Sequence, residues 1–391
     1  MNTYDVAVVG SGPAGSAAAL ALARRGAKVA LLERAPLPRY KTCGGGVVQR
    51  AAGFARLDLG PAVEQRYRRV AFHLHDLDHR FVLEREQPVL TMTMRDRLDL
   101  VLVEAAMRAG AELLAPCRVR EVATIGERVR LGTERGEVWA DFVVAADGAL
   151  AEVARLAGWP DDRRAAPALE YEITVDDATF RRLVLEPRFD IGTVERGYAW
   201  VFPKASHLSV GVLTMERGAR DLRAQLARYL ELVGITAPLD VRRHGFVIPV
   251  RPRSGPLLRG RVAVVGDAAG FADPVTAEGI SFAVRSGQLA GDAIADAAGD
   301  DARARDGYHA ALRQEILPEL RVGRLLARLL YEYPRLRRPL FRRYGQWLLE
   351  AFATGFLGGE GFRHIPRRAL RLALAGRPVS TATARSPRGS P

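Results

Sequence analysis

Residues 5–33, DVAVVGSGPAGSAAALALARRGAKVALLE, decide the fold. An apolar run over residues 6–9 meets Gly10, Gly12 and Gly15 in G-x-G-x-x-G spacing; an alanine-rich stretch follows, and a second apolar run ends on Glu33. That order predicts strand, tight turn, helix and strand, a βαβ unit that opens a parallel sheet with covering helices. Each glycine has its own duty. Gly10 permits the turn, Gly12 lets backbone N–H groups approach a pyrophosphate, and Gly15 lets helix and strand pack closely. The helix N-terminus favours an anion, and Glu33 ends the second strand where a carboxylate can accept hydrogen bonds from a ribose diol. A dinucleotide site follows, with NAD and FAD sharing the fingerprint.

Outward from this unit the pattern changes twice. RVAFHLHDLDHRFVLE (69–84) reads as two short strands around an Asp-rich turn, and a helix follows that ends at Gly110. CRVREVA, RVRLGT and EVWADFVVAADG then suggest a meander returning to the first sheet. Residues 167–250 alternate apolar and polar at period two, as in YAWVFP and LSVGVLTM, which predicts a largely antiparallel second sheet. RVAVVGDAAG (261–270) is a further strand and turn of the first domain, followed by a helix. The expected organisation is a discontinuous nucleotide domain (1–50, 93–160 and 256–300) and a β-sheet substrate domain (51–92 and 161–255). A basic helical region (301–375) and a disordered tail (376–391) complete it.

In VVGDAAGFADPVTAEGISFAVRSG, Asp267 ends an apolar strand and Glu278-Gly279 opens a helix. Such an Asp can hold a polyol chain, and N–H groups at Gly279 and Ile280 suit the partly anionic edge of a reduced flavin; NAD has no ribityl chain that needs this. GSGPAG, PRYKTCGGG, MRDRLD, VVAADG, YAWVFPK and GDAAGFADPVTAEGI also occur in one order. In these the chain resembles the FAD-dependent group that includes p-hydroxybenzoate hydroxylase, and within it the geranylgeranyl reductase family, over roughly residues 4–295. The resemblance implies an α/β fold: a Rossmann-like FAD domain, a mainly antiparallel substrate sheet and a helical C-terminal region. It implies FAD contacts from Gly10, Gly12, Ala14, Gly15, Glu33, Arg34, Gly44, Gly46, Arg95, Val119, Asp267, Gly279 and Ile280. Three positions depart from the family pattern: Ala151, Ala277 and Gly211-Val212-Leu213.

RYKTCGGG (39–46) holds Cys43, one of two cysteines, and Lys41, one of three lysines in a chain whose background cation is arginine. The glycines allow a loop to lie close over a flavin, with the cysteine sulfur near the reacting face as a small polarisable group or a proton donor and Lys41 able to lower its pKa if close enough. Cys117 falls in an apolar strand pattern and is expected to be packed. Tyr198, Trp200 and Phe202 alternate and so share one strand face. With Pro203, Lys204 and Gly211 they are the expected substrate wall, Lys204 supplying a charge for a head group. His73, His75, Asp76, Asp78 and His79 match no zinc or calcium spacing, and no metal is expected there.

Net charge is +13, and residues 302–391 carry 18 arginines against 6 acidic residues, so nearly all of the excess is C-terminal. No recognised nucleic-acid motif accompanies it, and nucleic acid is not expected as a partner. Arginines beside apolar faces in EYPRLRRPLFRRYGQWLLEAFATGFL suit peripheral contact with an anionic lipid surface. Two cysteines make no disulfide framework, no signal segment is evident, and a cytoplasmic, reducing setting is the expectation. The resulting reading is an FAD-dependent reductase of CH–CH groups in an isoprenoid or prenylated lipid, with NAD(P)H or ferredoxin as electron donor. The alternatives are a monooxygenase or halogenase on the same fold, since YAWVFP is near W-x-W-x-I-P, and a non-catalytic flavin-binding lipid-surface module.

Overall fold

The computed structural model describes residues 2–216 and 221–356. The C-terminal part of the expected helical region and the expected tail at 376–391 lie outside the described residues.

The strand Asn2–Val9 runs at the centre of the first sheet, parallel to Val29–Leu32 on one side and to Gly136–Ala145 on the other. Glu112–Leu114 extends the parallel order beyond Val29–Leu32, and Val262–Val264 extends it beyond Gly136–Ala145. All four residues of Val29–Leu32 are buried, as a parallel strand covered on both faces requires. The helices Pro13–Arg24 and Ile280–Ala297 pack on this sheet with their backbones nearly touching. A Cβ at Gly287 would lie 2.1 Å from the Ala14 carbonyl oxygen, so glycine and alanine along both helices permit the approach. The meander Val119–Ile125, Arg128–Thr133 and Gly136–Ala145 returns the chain to the sheet.

The second sheet has seven strands, all antiparallel except where Arg188–Ile191 runs parallel to Arg69–Leu74. Its register builds one transverse row, because directly paired residues point to the same face. His244, Glu170, Gly211, Trp200, Phe189, Phe72 and Phe81 follow one another across the strands. The neighbouring row contains Phe246, Ala168, Leu213, Tyr198 and Ile191. This aromatic face is turned toward the nucleotide domain. The segment 51–92 divides between two sheets: Arg69–Leu74 and His79–Glu84 join the large one, whereas Val63–Tyr67 and Leu90–Thr93 pair with Gly46–Val48 in a separate three-stranded sheet. Their role is to carry the end of the glycine loop.

After the Ile280–Ala297 helix come Asp301–Glu315, Leu317–Ala327, a π-helical turn Arg328–Glu332 and Pro334–Phe356. Arg337 from the last helix is buried and bonds Asp76 in the turn of the Arg69–Glu84 hairpin, which docks these helices on the edge of the aromatic sheet. Among the described residues no helix is long and apolar enough to cross a membrane.

Candidate functional site

Gly10 adopts φ +104°, and a Cβ there would stand 2.4 Å from the Ala146 carbonyl oxygen. At Gly15 a Cβ would stand 1.8 Å from the carbonyl oxygen of Gly10, so the turn closes only on glycine. Gly12 differs. The nearest atoms to a Cβ there are the guanidinium tips of Arg95 and Arg39, at 3.8 and 3.9 Å. An open space between a helix N-terminus and two arginines is what a pyrophosphate needs. Asp99, wholly buried, holds both arginines: Arg95 through bonds of 2.8 and 3.0 Å and Arg39 at 3.3 Å.

Burial alone would raise the Glu33 carboxyl, but Arg39 at 3.1 Å and donors from Ser11 outweigh it and hold the group below its ordinary value. Its second oxygen accepts the Ala35 N–H. Asp267 lies on a short helix at the other end of the same cavity, its carboxyl raised by burial and drawn back by Lys41, Arg95 and Arg163. Asp147 is likewise raised by burial; one oxygen takes the Val153 N–H and the other is buried without a partner. Gly279 caps the 18-residue Ile280–Ala297 helix.

The loop at 39–46 crosses above the aromatic face. A Cβ at Gly44 would press on Phe202 at 2.9 Å and meet the Trp200 indole nitrogen at 3.4 Å. Gly45, at φ +67°, has the Thr93 carbonyl oxygen 2.0 Å and the Lys204 Nζ 2.5 Å from where a Cβ would stand. The glycines therefore serve close approach on both sides. Cys43 is half-buried, its sulfur accepting the Gly45 N–H at 3.4 Å and lying within bonding reach of Arg95. Lys41 donates to the Thr42 carbonyl and lies 3.7 Å over the Phe246 ring; burial lowers its pKa, and Arg95 adds to that.

These parts enclose one cavity of about 420 Å³, within the usual range for a ligand pocket. Gly10, Gly12, Ala14, Glu33, Arg34, Cys43, Gly44, Gly46, Arg95, Val119, Asp267, Gly279 and Ile280 line it, together with Tyr198, Trp200 and Phe202. Gly15 stands behind the wall. Three of the expected substrate residues are corrected. Lys204 does not face the cavity: it is 1% exposed and its ammonium donates to the carbonyls of Gly44, at 2.6 Å, and Thr93, at 3.1 Å. Pro203 is buried at the strand end and does not line the cavity. Gly211 lies beneath Trp200, where a Cβ would be 2.1 Å from the ring, so it makes room for the indole rather than meeting a ligand.

Arg39 and Glu170 were not singled out from sequence. With 55 arginines in the chain, one more carries no signal. Glu170 faces inward in a strand of alternating pattern; a charge at a core-facing position was the available cue. It lines the cavity, accepts the Ser209 hydroxyl at 2.5 Å, and is raised by burial.

The polar hairpin is tied into the fold. Asp190 accepts from Arg188 (2.7 and 2.5 Å), Tyr229 (2.6 Å) and His75 (2.6 Å), which hold it far below the usual carboxylate range against the opposing effect of burial. His73 and His75 stand close enough to Asp190 to share a cation. The guanidinium already occupies that carboxylate with its own positive charge.

Asp273, in the turn after Asp267, gives a pH prediction. One oxygen accepts the N–H groups of Val275 and Thr276 and the Thr276 hydroxyl, and the other is buried without a partner. Burial pushes the group up to about 6. A raised carboxyl contributes fully below its unfolded value near 3.9, and that contribution is lost as pH rises to about 6. Asp273→Asn keeps the accepting oxygen and is expected to gain about 2 kcal/mol relative to wild type between pH 4 and 7. Urea unfolding of both proteins at the two pH values checks it, and equal differences at both would remove the assignment.

The comparisons agree with this geometry. The family model described as FAD binding domain matches residues 3–314. Digeranylgeranylglycerophospholipid reductase 2 of Methanothermobacter thermautotrophicus is 33% identical, over 75% of this chain and 78% of its own. Geranylgeranyl diphosphate reductase of Nicotiana tabacum is 31% identical over 74% of this chain, which spans 66% of the plant protein. An uncharacterized protein of Methanosarcina barkeri is 28% identical over 85% and 84%. Among solved structures, a geranylgeranyl bacteriochlorophyll reductase-like protein from Thermoplasma acidophilum superimposes with a TM-score of 0.77 at 23% identity, covering 96% of both chains. The flavin-dependent brominase Bmp2 follows with 0.71 at 20% identity, covering 96% of this chain and all of its own. At these identities the structures speak for the fold alone. The open cradle at Gly12, the paired arginines and the Glu33 carboxylate fit FAD, and the chain belongs to the geranylgeranyl reductase family of FAD-dependent oxidoreductases.

Proposed function

We propose that this oxidoreductase saturates carbon–carbon double bonds of an isoprenoid chain carried by a lipid or diphosphate. The observation that carries the reading is the roof of Cys43, Gly44 and Gly45 laid on the Tyr198-Trp200-Phe202 floor, next to the dinucleotide cradle. Reduced FAD, bound there, supplies the hydride. An isolated alkene offers no polar handle, so the residues must hold the bond in place and keep water away, and proximity supplies much of the rate. Trp200, Phe202 and Phe189 give the apolar contact; ring centroids of Phe189 and Phe202 are 5.0 Å apart in an edge-on arrangement. Arg39 and Arg95 bind the pyrophosphate. Cys43 is the group at the roof able to hold a proton at its sulfur and give it to the second alkene carbon. With one dinucleotide cradle among the described residues, electrons arrive from a transient NAD(P)H or from ferredoxin.

The relatives' names support the substrate class, and the brominase-like fold leaves oxygen chemistry as the competing reading. Dithionite-reduced enzyme incubated with geranylgeranyl lipids without O2 is expected to return saturated product by mass spectrometry. Turnover that requires O2 transfers the assignment to a monooxygenase or halogenase. Cys43→Ser is expected to slow saturation by about 10²-fold, the lower range for general acid catalysis, while reoxidation of its flavin by O2 stays at the wild-type rate.

A further inference from the structure

We propose that the surface formed by residues 321–344 docks on an anionic lipid bilayer. Seven arginines between Arg321 and Arg343 are exposed, and the segment's one acidic residue, Glu332, is half-buried and held by Arg328 at 3.4 Å. Among these arginines apolar side chains face solvent: Leu325 is 66% exposed, Leu336 61%, Tyr344 45% and Tyr333 41%. Leu325, Tyr333 and Leu336 form a patch. Arg328 lies one helical turn after Leu325, its guanidinium donates to the Tyr333 hydroxyl at 2.9 Å, and the Leu336 N–H bonds the Tyr333 carbonyl at 3.1 Å. A solvated basic face has no use for leucines this exposed. Leucine and tyrosine at the level of the head groups, ringed by arginine, match an anionic membrane surface in charge and in polarity.

What lies beneath the patch favours a bilayer over a protein or nucleic acid. The π-helical turn contributes Leu329 and Leu330 to a second cavity of about 100 Å³, closed by Phe341 and Leu348 from the last helix. Phe189, Tyr198 and Thr276 belong to the walls of both cavities, and the Tyr198 hydroxyl donates to the Thr276 carbonyl at that partition. The second cavity thus adjoins the aromatic floor, and Leu326, Leu329 and Leu330 of the patch-bearing segment line it. Opening of the Tyr198–Thr276 partition would let a lipid chain pass from one to the other, a consequence that rests on the proposed isoprenoid substrate. The docking itself does not.

The test uses the full chain loaded with FAD and sedimentation with vesicles, in the absence of substrate. Wild type is expected to pellet with phosphatidylglycerol–phosphatidylcholine vesicles and to stay in solution with phosphatidylcholine alone. Arg335→Glu with Arg342→Glu is expected to weaken the vesicle affinity at least tenfold, since each basic residue near such a surface strengthens binding by about fivefold. Leu325→Ser with Leu336→Ser is expected to weaken the binding that survives high salt, where charge is screened. Both double variants keep flavin content and turnover of detergent-dispersed substrate. Wild type that stays in solution with anionic vesicles overturns the proposal, as do variants that pellet like wild type. Tight binding of heparin or duplex DNA without vesicle binding reassigns the patch to nucleic acid. Loss of turnover in wild type with detergent-dispersed isoprenoids strikes the reductase reading and leaves sedimentation unaffected.

Discussion

Protein carrying Gly15→Ala is expected to purify without flavin and to unfold earlier than wild type. The added methyl would stand 1.8 Å from the Gly10 carbonyl oxygen, 3.0 Å from its carbon and 3.1 Å from the Ala146 Cβ, all of which belong to the turn or the strand beside it. None is the tip of a flexible side chain, so the helix must move off the sheet. Overpacking of this kind costs about 1–3 kcal/mol, and the displaced N-terminus no longer meets the pyrophosphate. Gly12→Ala separates the two effects. Its methyl enters open space, in ordinary van der Waals contact with the guanidinium tips of Arg95 and Arg39 at 3.8 and 3.9 Å, and its backbone, at φ −71°, suits alanine. That variant is expected to keep the melting temperature of the wild-type apoprotein and still lose FAD, because the methyl occupies the position of the phosphates. Absorbance at the flavin band and thermal melts of both apoproteins decide. Gly12→Ala that purifies yellow, with normal FAD affinity, removes the pyrophosphate from this turn.

The contrast shows what could be read from the chain. Gly10, Gly12, Gly15 and Glu33 are legible because a tight turn between strand and helix is a local problem, solved within 30 residues by spacing alone. The period-two pattern placed Tyr198, Trp200 and Phe202 on one face for the same reason, since all three lie on the Gly197–Pro203 strand. Direction was not legible at strand ends. Lysine is scarce in this chain, which marked both Lys41 and Lys204 as unusual; Lys204 is indeed buried, and Lys41 is half-buried in the cavity wall. Whether such a charge turns to a ligand or to backbone carbonyls depends on a loop 160 residues away. Gly211 misled in the opposite sense: the shortened glycine pattern read as an eroded motif, whereas its lack of a side chain is what seats the Trp200 ring. Arg39 and Asp99 were invisible because their meaning arises only when the loop folds over the Arg95–Arg108 helix.

Lys204→Met is expected to free the Cys43 loop, the second large effect. The ammonium is the donor for two carbonyls, half-buried Gly44 at 2.6 Å and buried Thr93 at 3.1 Å, which belong to the roof loop and to the small three-stranded sheet. Methionine fills the volume and donates nothing. Two carbonyls left unpaired cost about 1–3 kcal/mol each, offset in part because the burial that lowers the lysine pKa no longer has a charge to oppose. A net loss of about 2–4 kcal/mol follows from that range, and the loss falls on the loop first because the strand beneath keeps its ladder. Trypsin should then cut after Arg39 and Lys41 at least tenfold faster than in wild type, and alkene turnover should fall while FAD, held by the Gly10–Gly15 turn, remains bound. Arginine will not rescue it: the Gly45 backbone leaves 2.5 Å between the Nζ and the position of a Cβ, with no space for a guanidinium. A head-group role for Lys204 makes a different forecast, a higher KM confined to diphosphate or phospholipid substrates with unchanged melting and unchanged proteolysis. The buried position of the ammonium argues for the first outcome, because a cation that recognises a ligand must reach it, and this one reaches the roof instead.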